Sequence, residues 1–288
     1  MGFDYVAARS IGEAISILQK YDGKAKVIAG GTDLLIQIRN KEIAPEYLVD
    51  ITTIPELDRI RYDEKEGLRI GPLTTIRTLE TSAEIQQRYP IISEAASQLG
   101  SMAIRNVATI GGNLCNAAPS AESAPALIGL SGVVKIVGPE GERVVPLEGF
   151  FTGPGDTVLE KGGLLVEIQV PLPAPNTRSI YLKHSMRGTI DLAIVNVAVV
   201  VALGSQNKVC EDIKIVLGAV ASTPMRMKKA EEVLRGKRID EDLINKSAQV
   251  ASGEARPISD VRASAEYRKE MVKVFTKRAL REALTQPQ

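Results

Sequence analysis

The sequence predicts an α/β domain followed by an α+β domain, on three observations. Two glycine pairs, AGGTD at Ala29–Asp33 and TIGGN at Thr109–Asn113, stand next to apolar runs in the first part of the chain. The stretch PLPAPN at 171–176 has the composition of a linker. Beyond it three long β-rich runs are followed by three helical ones, the order expected of an antiparallel sheet with helices laid on it.

The elements follow in order along the chain. Ser10 and Glu13, ahead of Ala14, Ile15, Ile17 and Leu18, have the form of a capping box and predict a helix ending near Gly23. Val27 and Ile28 centre a short strand, and Leu34, Leu35, Ile36 and Ile38 predict a helix after the first glycine pair, capped by Thr32 or Asp33. A strand is expected over Tyr47–Ile51, and 57–62 with 67–70 reads as a hairpin joined through DEKE. Helices are expected over 75–82 and 91–99, the second opened by Pro90. Residues 103–110 read as extended, delivering the second glycine pair to the loop NAAPSAESAP and a helix over about 123–130. A hairpin turns at GPEGE between 133–137 and 143–145. FFTGPGD at 150–156 is too rich in glycine and proline for regular structure, and 164–170 is a strand. After the linker come β runs at 178–186, 193–203 and 209–220, then helices near 227–234, 241–252 and 266–284.

The glycine pairs carry the most chemistry. Without a Cβ, Gly30, Gly31, Gly111 and Gly112 let backbone N–H groups approach phosphate oxygens, and the helix after the first pair turns its positive end the same way. Thr109 and Asn113 add side-chain donors. One such pair is also an ordinary tight turn between strand and helix; two of them together suggest a clamp for a dinucleotide diphosphate. Composition narrows the alternatives. A chain of 288 residues with net charge +1 is long enough for two cores and lacks the basic excess that nucleic acid or anionic membrane surfaces require. Two cysteines, Cys115 and Cys210, are too few to hold an iron–sulfur cluster, and a single histidine, His184, excludes a histidine-based metal site and weakens any Ser or Cys triad. No signal-like segment and no run of about eighteen apolar residues occurs, so a cytoplasmic protein is expected.

Both glycine pairs, the NAAPSAESAP loop and the Y-x-K-x-x-x-R-x-x-x-D-x-A run from Tyr181 to Ala193 occur in the order and spacing of a known family. Over nearly its whole length the chain resembles the FAD-binding medium subunit of the molybdenum hydroxylases, the group of aerobic carbon monoxide dehydrogenase and of the flavin domain of xanthine dehydrogenase. The resemblance implies a vanillyl-alcohol-oxidase, PCMH-type FAD-binding domain over 1–172, with subdomains of about 1–55 and 56–172. It also implies a C-terminal domain over 177–285 with a three-stranded antiparallel sheet and helices. The absence of G-x-G-x-x-G agrees that this is no Rossmann fold.

By the same resemblance Val27, Ile28, Ala29, Gly30, Gly31, Thr32, Asp33 and Leu34, with Thr109, Ile110, Gly111, Gly112 and Asn113, bind the FAD diphosphate and ribityl chain. Glu122, Asp156, Leu165 and Lys183 match further contact positions, and Leu192 lies over the flavin ring where some relatives have tyrosine. Carboxylates there would accept hydrogen bonds from hydroxyls or the flavin imide, and Lys183 would face a phosphate or a reduced ring. Read as residues alone, Glu122 equally suits a helix cap, Asp156 a turn and Lys183 the surface. Thr32 stands where carbon monoxide dehydrogenases tend to have histidine, which weighs against carbon monoxide as substrate. No inserted cysteine-bearing segment is present, and FAD is expected to be non-covalent.

The implied function is an electron-transfer oxidoreductase subunit with no catalytic side chain and no metal ligand of its own. Molybdopterin and two [2Fe–2S] clusters would sit on a large and a small partner subunit, in a dimer of heterotrimers, and electrons would leave through FAD to NAD, a quinone or oxygen. Valine at Gly111 or Gly112 is expected to abolish FAD retention by filling the phosphate approach. Two alternatives remain: a stand-alone flavin oxidoreductase, and a non-redox nucleotide-binding or assembly protein, which the glycine pairs alone would permit.

Overall fold

The computed structural model describes residues 2–204 and 209–285. It opens with β1 (Asp4–Ala7), α1 (Ile11–Lys20), β2 (Ala25–Ile28), α2 (Leu34–Arg39) and β3 (Tyr47–Asp50). The three strands form a parallel sheet in the order β1-β3-β2, as β–α–β crossovers require. Half of the expected capping box is formed, with Ser10 Oγ accepting from Glu13 N at 3.1 Å, while Glu13 Oε2 reaches one residue further back than the box requires and accepts from Arg9 N at 2.7 Å. Ala14 and Leu18 of α1 share a core with Val49, Ile51, Ile54 and Leu57.

A second unit follows, made of β4 (Ile60–Asp63), β5 (Gly67–Ile70), α3 (Ile76–Thr81), α4 (Ala83–Arg88), α5 (Pro90–Ser97), α6 (Met102–Arg105), α7 (Ile110–Asn116), α8 (Ser123–Gly129), β6 (Val133–Gly138), β7 (Gly141–Pro146), β8 (Phe151–Gly153), β9 (Asp156–Thr157) and β10 (Leu164–Val170). Its five-stranded antiparallel sheet has the order β4-β5-β10-β6-β7, so β10 returns from the far end of the unit to its centre. FFTGPGD, read as irregular, supplies the small β8–β9 hairpin.

The stretch 103–110 departs most from expectation. It is not extended: Ser101 Oγ accepts from Ile104 N to start α6, and Thr109 Oγ1 accepts from Gly112 N to start α7. Gly111 and Gly112 therefore lie inside the first turn of a helix. A capped helix of four residues is too short to show periodicity, which is why the sequence concealed it.

Past the linker, β11 (Thr177–His184), β12 (Val195–Leu203), β13 (Cys210–Gly218) and β14 (Met225–Arg226) make one antiparallel sheet in chain order. The three long strands are those expected; β14 adds a two-residue edge. α9 (Lys228–Leu234), α10 (Glu241–Glu254) and α11 (Ala265–Thr285) share a core with this sheet. Its other face meets α8, whose every residue is buried, the setting expected of a helix that is apolar all round. Tyr181 N donating to Glu94 Oε2 at 3.0 Å and Ala219 N donating to Pro119 O at 2.6 Å tie the C-terminal sheet to the first part of the chain.

Candidate functional site

Both glycine pairs line a single cavity of about 820 Å3, walled by the first sheet, α2, the start of α7, the start of β10 and the segment between β11 and β12. The volume lies within the roughly 300–1,000 Å3 of ligand pockets. In each pair the first glycine serves protein packing. A Cβ on Gly30 would fall on the Val107 carbonyl, and one on Gly111 on the Pro72 ring, 2.8 Å from the Pro72 carbonyl oxygen. The second glycines are less crowded: Gly31, at φ 67°, would meet only side chains, and Gly112 only Thr109 Oγ1 at 3.0 Å. Gly30 is thus the point at which the first pair docks on the backbone leading to the second.

The two pairs differ in what their amides do. At the second, every N–H is engaged within the protein: Ile110 N to Thr74 O at 3.0 Å, Gly111 N to Pro72 O at 2.8 Å, Gly112 N to Thr109 Oγ1 at 3.1 Å and Asn113 N to Thr109 O at 3.0 Å. At the first, none of the N–H groups from Gly30 to Leu34 has a hydrogen-bond partner among the described residues. Five consecutive unengaged donors border the cavity where α2 begins, so the helix dipole adds to them. Asp33 is the residue at the cap position, but its carboxylate makes no capping bond. From the second pair the cavity receives side chains instead, and Asn113 Oδ1 is buried there without a partner.

Charge reinforces this division. Among the described residues, Asp33, Glu42, Glu122, Glu160 and Asp191 line the cavity against one cation, Lys26. An anionic ligand would therefore depend on backbone dipoles rather than on lysine or arginine. Burial pushes the Asp33 carboxyl above the usual carboxylate range. Burial also pushes Glu122 up, against the pull of Lys183, whose Nζ lies 2.8 Å from Glu122 Oε1. Glu122 precedes α8 without capping it through its side chain, so the ion pair replaces the helix-cap alternative.

Of the residues singled out in the sequence, Val27 to Leu34, Thr109, Gly111, Gly112, Asn113, Glu122, Leu165 and Leu192 line the cavity. Ile110 is fully buried beside it, and Lys183 lies behind Glu122. Asp156 is exposed outside it, where its carboxylate accepts from Thr152 Oγ1 at 2.7 Å and from Thr157 N at 3.1 Å; it holds a turn, and only its neighbour Gly155 reaches the cavity. Cys115 does line the cavity, but burial pushes its thiol up to about 12, so it is no thiolate at neutral pH. His184 lies outside, bonded to Tyr267 at 3.0 Å and stacked on Phe275. Sequence reasoning missed Gly100, Ile104, Gln37, Ile190 and Asp191, and also a third pair, Gly162–Gly163, whose position just before a strand was a usable signal. Among the described residues no cluster suited to a metal ion occurs, and no helix is long and apolar enough to cross a membrane.

Residues 1–173 match the family model described as the FAD binding domain in molybdopterin dehydrogenase, and 180–283 that of the CO dehydrogenase flavoprotein C-terminal domain. The chain is 34% identical over 281 residues to the xanthine dehydrogenase FAD-binding subunit of Escherichia coli O157:H7, covering 97% of this chain and 95% of that protein. It is 35% identical over 281 residues to the carbon monoxide dehydrogenase medium chain of Hydrogenophaga pseudoflava, covering 98% and 96%. Carbon monoxide dehydrogenase from H. pseudoflava, solved without the Mo-pyranopterin moiety of its molybdenum cofactor, superposes with a TM-score of 0.95 at 35% identity, over 99% of this chain and 98% of the solved one.

Proposed function

The chain belongs to the FAD-binding subunits of the molybdenum hydroxylases, the family of the xanthine and carbon monoxide dehydrogenases, and we propose that its glycine-walled cavity holds FAD non-covalently and takes electrons there from an iron–sulfur partner. Relatives are FAD-binding or medium subunits of dehydrogenases, and the solved carbon monoxide dehydrogenase is an enzyme with a molybdenum cofactor; in our reading the molybdenum and iron–sulfur centres lie on partner chains. Division of the chain into a flavin domain over 1–172 and a C-terminal domain over 177–285 is part of this reading, as is assembly with a small [2Fe–2S] and a large molybdopterin subunit into a dimer of heterotrimers.

One observation carries the reading: the five unengaged amides from Gly30 to Leu34, opening on a cavity that also holds the orphaned Asn113 Oδ1. A buried acceptor without a partner costs about 1–3 kcal/mol, which a ligand donor would relieve. These amides suit a diphosphate, and Asn113, Thr109 and Glu122 suit the hydroxyl and amide groups of the rest of FAD. Leu165 and Leu192 offer apolar surface for the ring system. Bound FAD supplies a store for two electrons that is filled one at a time. The chain's own residues bind and orient it, and the elevated thiol of Cys115 supports non-covalent attachment. Ile104, Ile190 and Leu192 border the cavity yet remain exposed, which supports a protein partner covering it.

A visible spectrum of the purified chain tests this directly. Oxidised-flavin bands should appear, and acid precipitation should release all the colour into the supernatant. Colour left on the polypeptide would overturn non-covalent binding, and a colourless chain that takes up no added FAD would overturn the cofactor itself. Co-purification with a subunit carrying two [2Fe–2S] clusters checks the partner.

A further inference from the structure

Lys183 is the penultimate residue of β11, and its side chain is 1% exposed. Its ammonium has three N–H groups, and each has an acceptor: Gln98 O at 2.8 Å, Glu122 Oε1 at 2.8 Å and Thr189 O at 3.0 Å. No donor is left over for a ligand in the cavity. The three acceptors come from three segments, and each adjoins the cavity. Gln98 leads into Gly100, Glu122 is part of the wall, and Thr189 precedes Ile190, Asp191 and Leu192.

The segment between β11 and β12 has little else to hold it. Arg187 pairs with Asp191 at 2.8 Å, Ser185 Oγ donates to Gly188 O at 2.7 Å, and Asp191 N donates to Gly188 O at 3.3 Å, all within the segment. Met186 and Ile190 are 69% and 71% exposed, so apolar burial anchors neither, and it holds the segment only at its end, where Ala193 is buried. Among the described residues, the only hydrogen bond reaching 185–193 from outside is the one from Lys183 to Thr189 O.

We propose that Lys183 is a positioning residue: a three-way clamp that fixes Glu122 in the cavity wall and holds the 185–193 segment against the cavity, acting on a bound cofactor only through these two. A charge-assisted bond to a backbone carbonyl is among the stronger neutral-pH tethers available to a short loop. The ammonium also neutralises Glu122, which burial would otherwise leave as an isolated charge. The clamp is complete without any ligand, so its effect on the segment exists in the flavin-free chain. Only the consequence for cofactor retention rests on the reading of the cavity as an FAD site.

The segment carries its own reporter, because Arg187 is a trypsin site with an 81% exposed side chain. In the flavin-free full-length chain, Lys183→Met should raise cleavage after Arg187 about tenfold, while cleavage after the exposed Lys65 in the β4–β5 turn stays as in wild type. Glu122→Gln keeps the fold and an acceptor but removes the charge, and should raise the same cleavage about threefold. Added FAD should leave Lys183→Met with a dissociation rate about tenfold higher and an association rate within twofold of wild type. Unchanged cleavage after Arg187 in both variants would overturn the clamp, even if FAD affinity fell, since that pattern belongs to a direct ligand. If Lys183→Met does not fold, the Glu122→Gln rate alone decides, and no increase sinks the proposal. If neither wild type nor variants bind FAD, the cofactor reading fails while the cleavage result still stands.

Discussion

The two glycine pairs look alike in sequence and do different work in the structure. The first, Gly30–Gly31, joins a strand to a helix and leaves five amides in a row without partners. The second, Gly111–Gly112, sits inside the first turn of α7, with all its amides bonded to Pro72, Thr74 and Thr109. One pair presents backbone to the cavity; the other shapes the cavity and presents Asn113. A doublet of glycines is therefore evidence of close approach, and what approaches must be asked residue by residue.

Gly111→Val tests the distinction most severely. Its Cβ would collide with Pro72, whose carbonyl also receives the Gly111 N–H, so the damage should show in the FAD-free chain. A cost of about 3 kcal/mol is expected from overpacking, lowering Tm by roughly 6–12 °C. Loss of flavin would then be a consequence of unfolding the wall, not of a blocked phosphate. An FAD-free Tm equal to wild type, with flavin lost, would restore the phosphate explanation. Gly30→Ala should behave similarly through the Val107 carbonyl.

Gly31→Ala should separate the pairs in the opposite sense. At φ 67° an alanine costs about 1–2 kcal/mol, so FAD-free stability should fall only modestly. The distorted amides should cost FAD binding more, about 2–3 kcal/mol from weakening two charge-assisted bonds, or roughly 30- to 150-fold in Kd. Titration calorimetry with a matched melting curve would show it. Equal losses in Kd and in Tm would place Gly31 with the packing glycines.

How much of this was legible follows from the kind of interaction involved. The first pair is readable because apolar Val27 and Ile28 before it, and Leu34 to Ile38 after it, declare strand and helix. The three long strands and three helices of the C-terminal domain are readable for the same reason. The helical state of Gly111 and Gly112 is not, because it depends on the Thr109 cap and on Pro72, thirty-nine positions away from Gly111 and visible only once the chain is folded. Asp156 was legible only as a residue type; whether its carboxylate faces a ligand or Thr152 is decided by the β8–β9 turn. Lys183 and Glu122 were both singled out, yet that each is the other's partner is tertiary information.

Asn113→Ala should have a smaller effect, confined to the ligand. Removing an orphaned acceptor relieves the FAD-free chain, so its Tm should hold or rise slightly, while FAD binding weakens about tenfold, near 1.4 kcal/mol. A fall in FAD-free Tm would mean that Asn113 supports the fold, as Gly111 does.

The smallest effect concerns Asp33, at the end of the open amide run, where burial alone raises the carboxyl and no hydrogen bond opposes it. An acid whose folded-state pKa is raised destabilises the folded chain above that value. The cost shrinks as pH falls through the raised pKa and is gone below the unfolded value near 3.9. The same proton removes repulsion from a bound diphosphate. FAD affinity should therefore rise severalfold as pH falls from about 8 towards the raised pKa, and Asp33→Asn should bind FAD about as tightly as the protonated wild type, with a flatter pH profile. Glu122, raised in the same direction but held by Lys183, should leave a residual slope of the same sign. Affinity that falls with pH, or an Asp33→Asn chain that binds less tightly throughout, would show that the carboxylate accepts a bond from the cofactor. The open loop would then bind through a side chain as well as through its backbone, and the contrast between the two pairs would narrow to their amides.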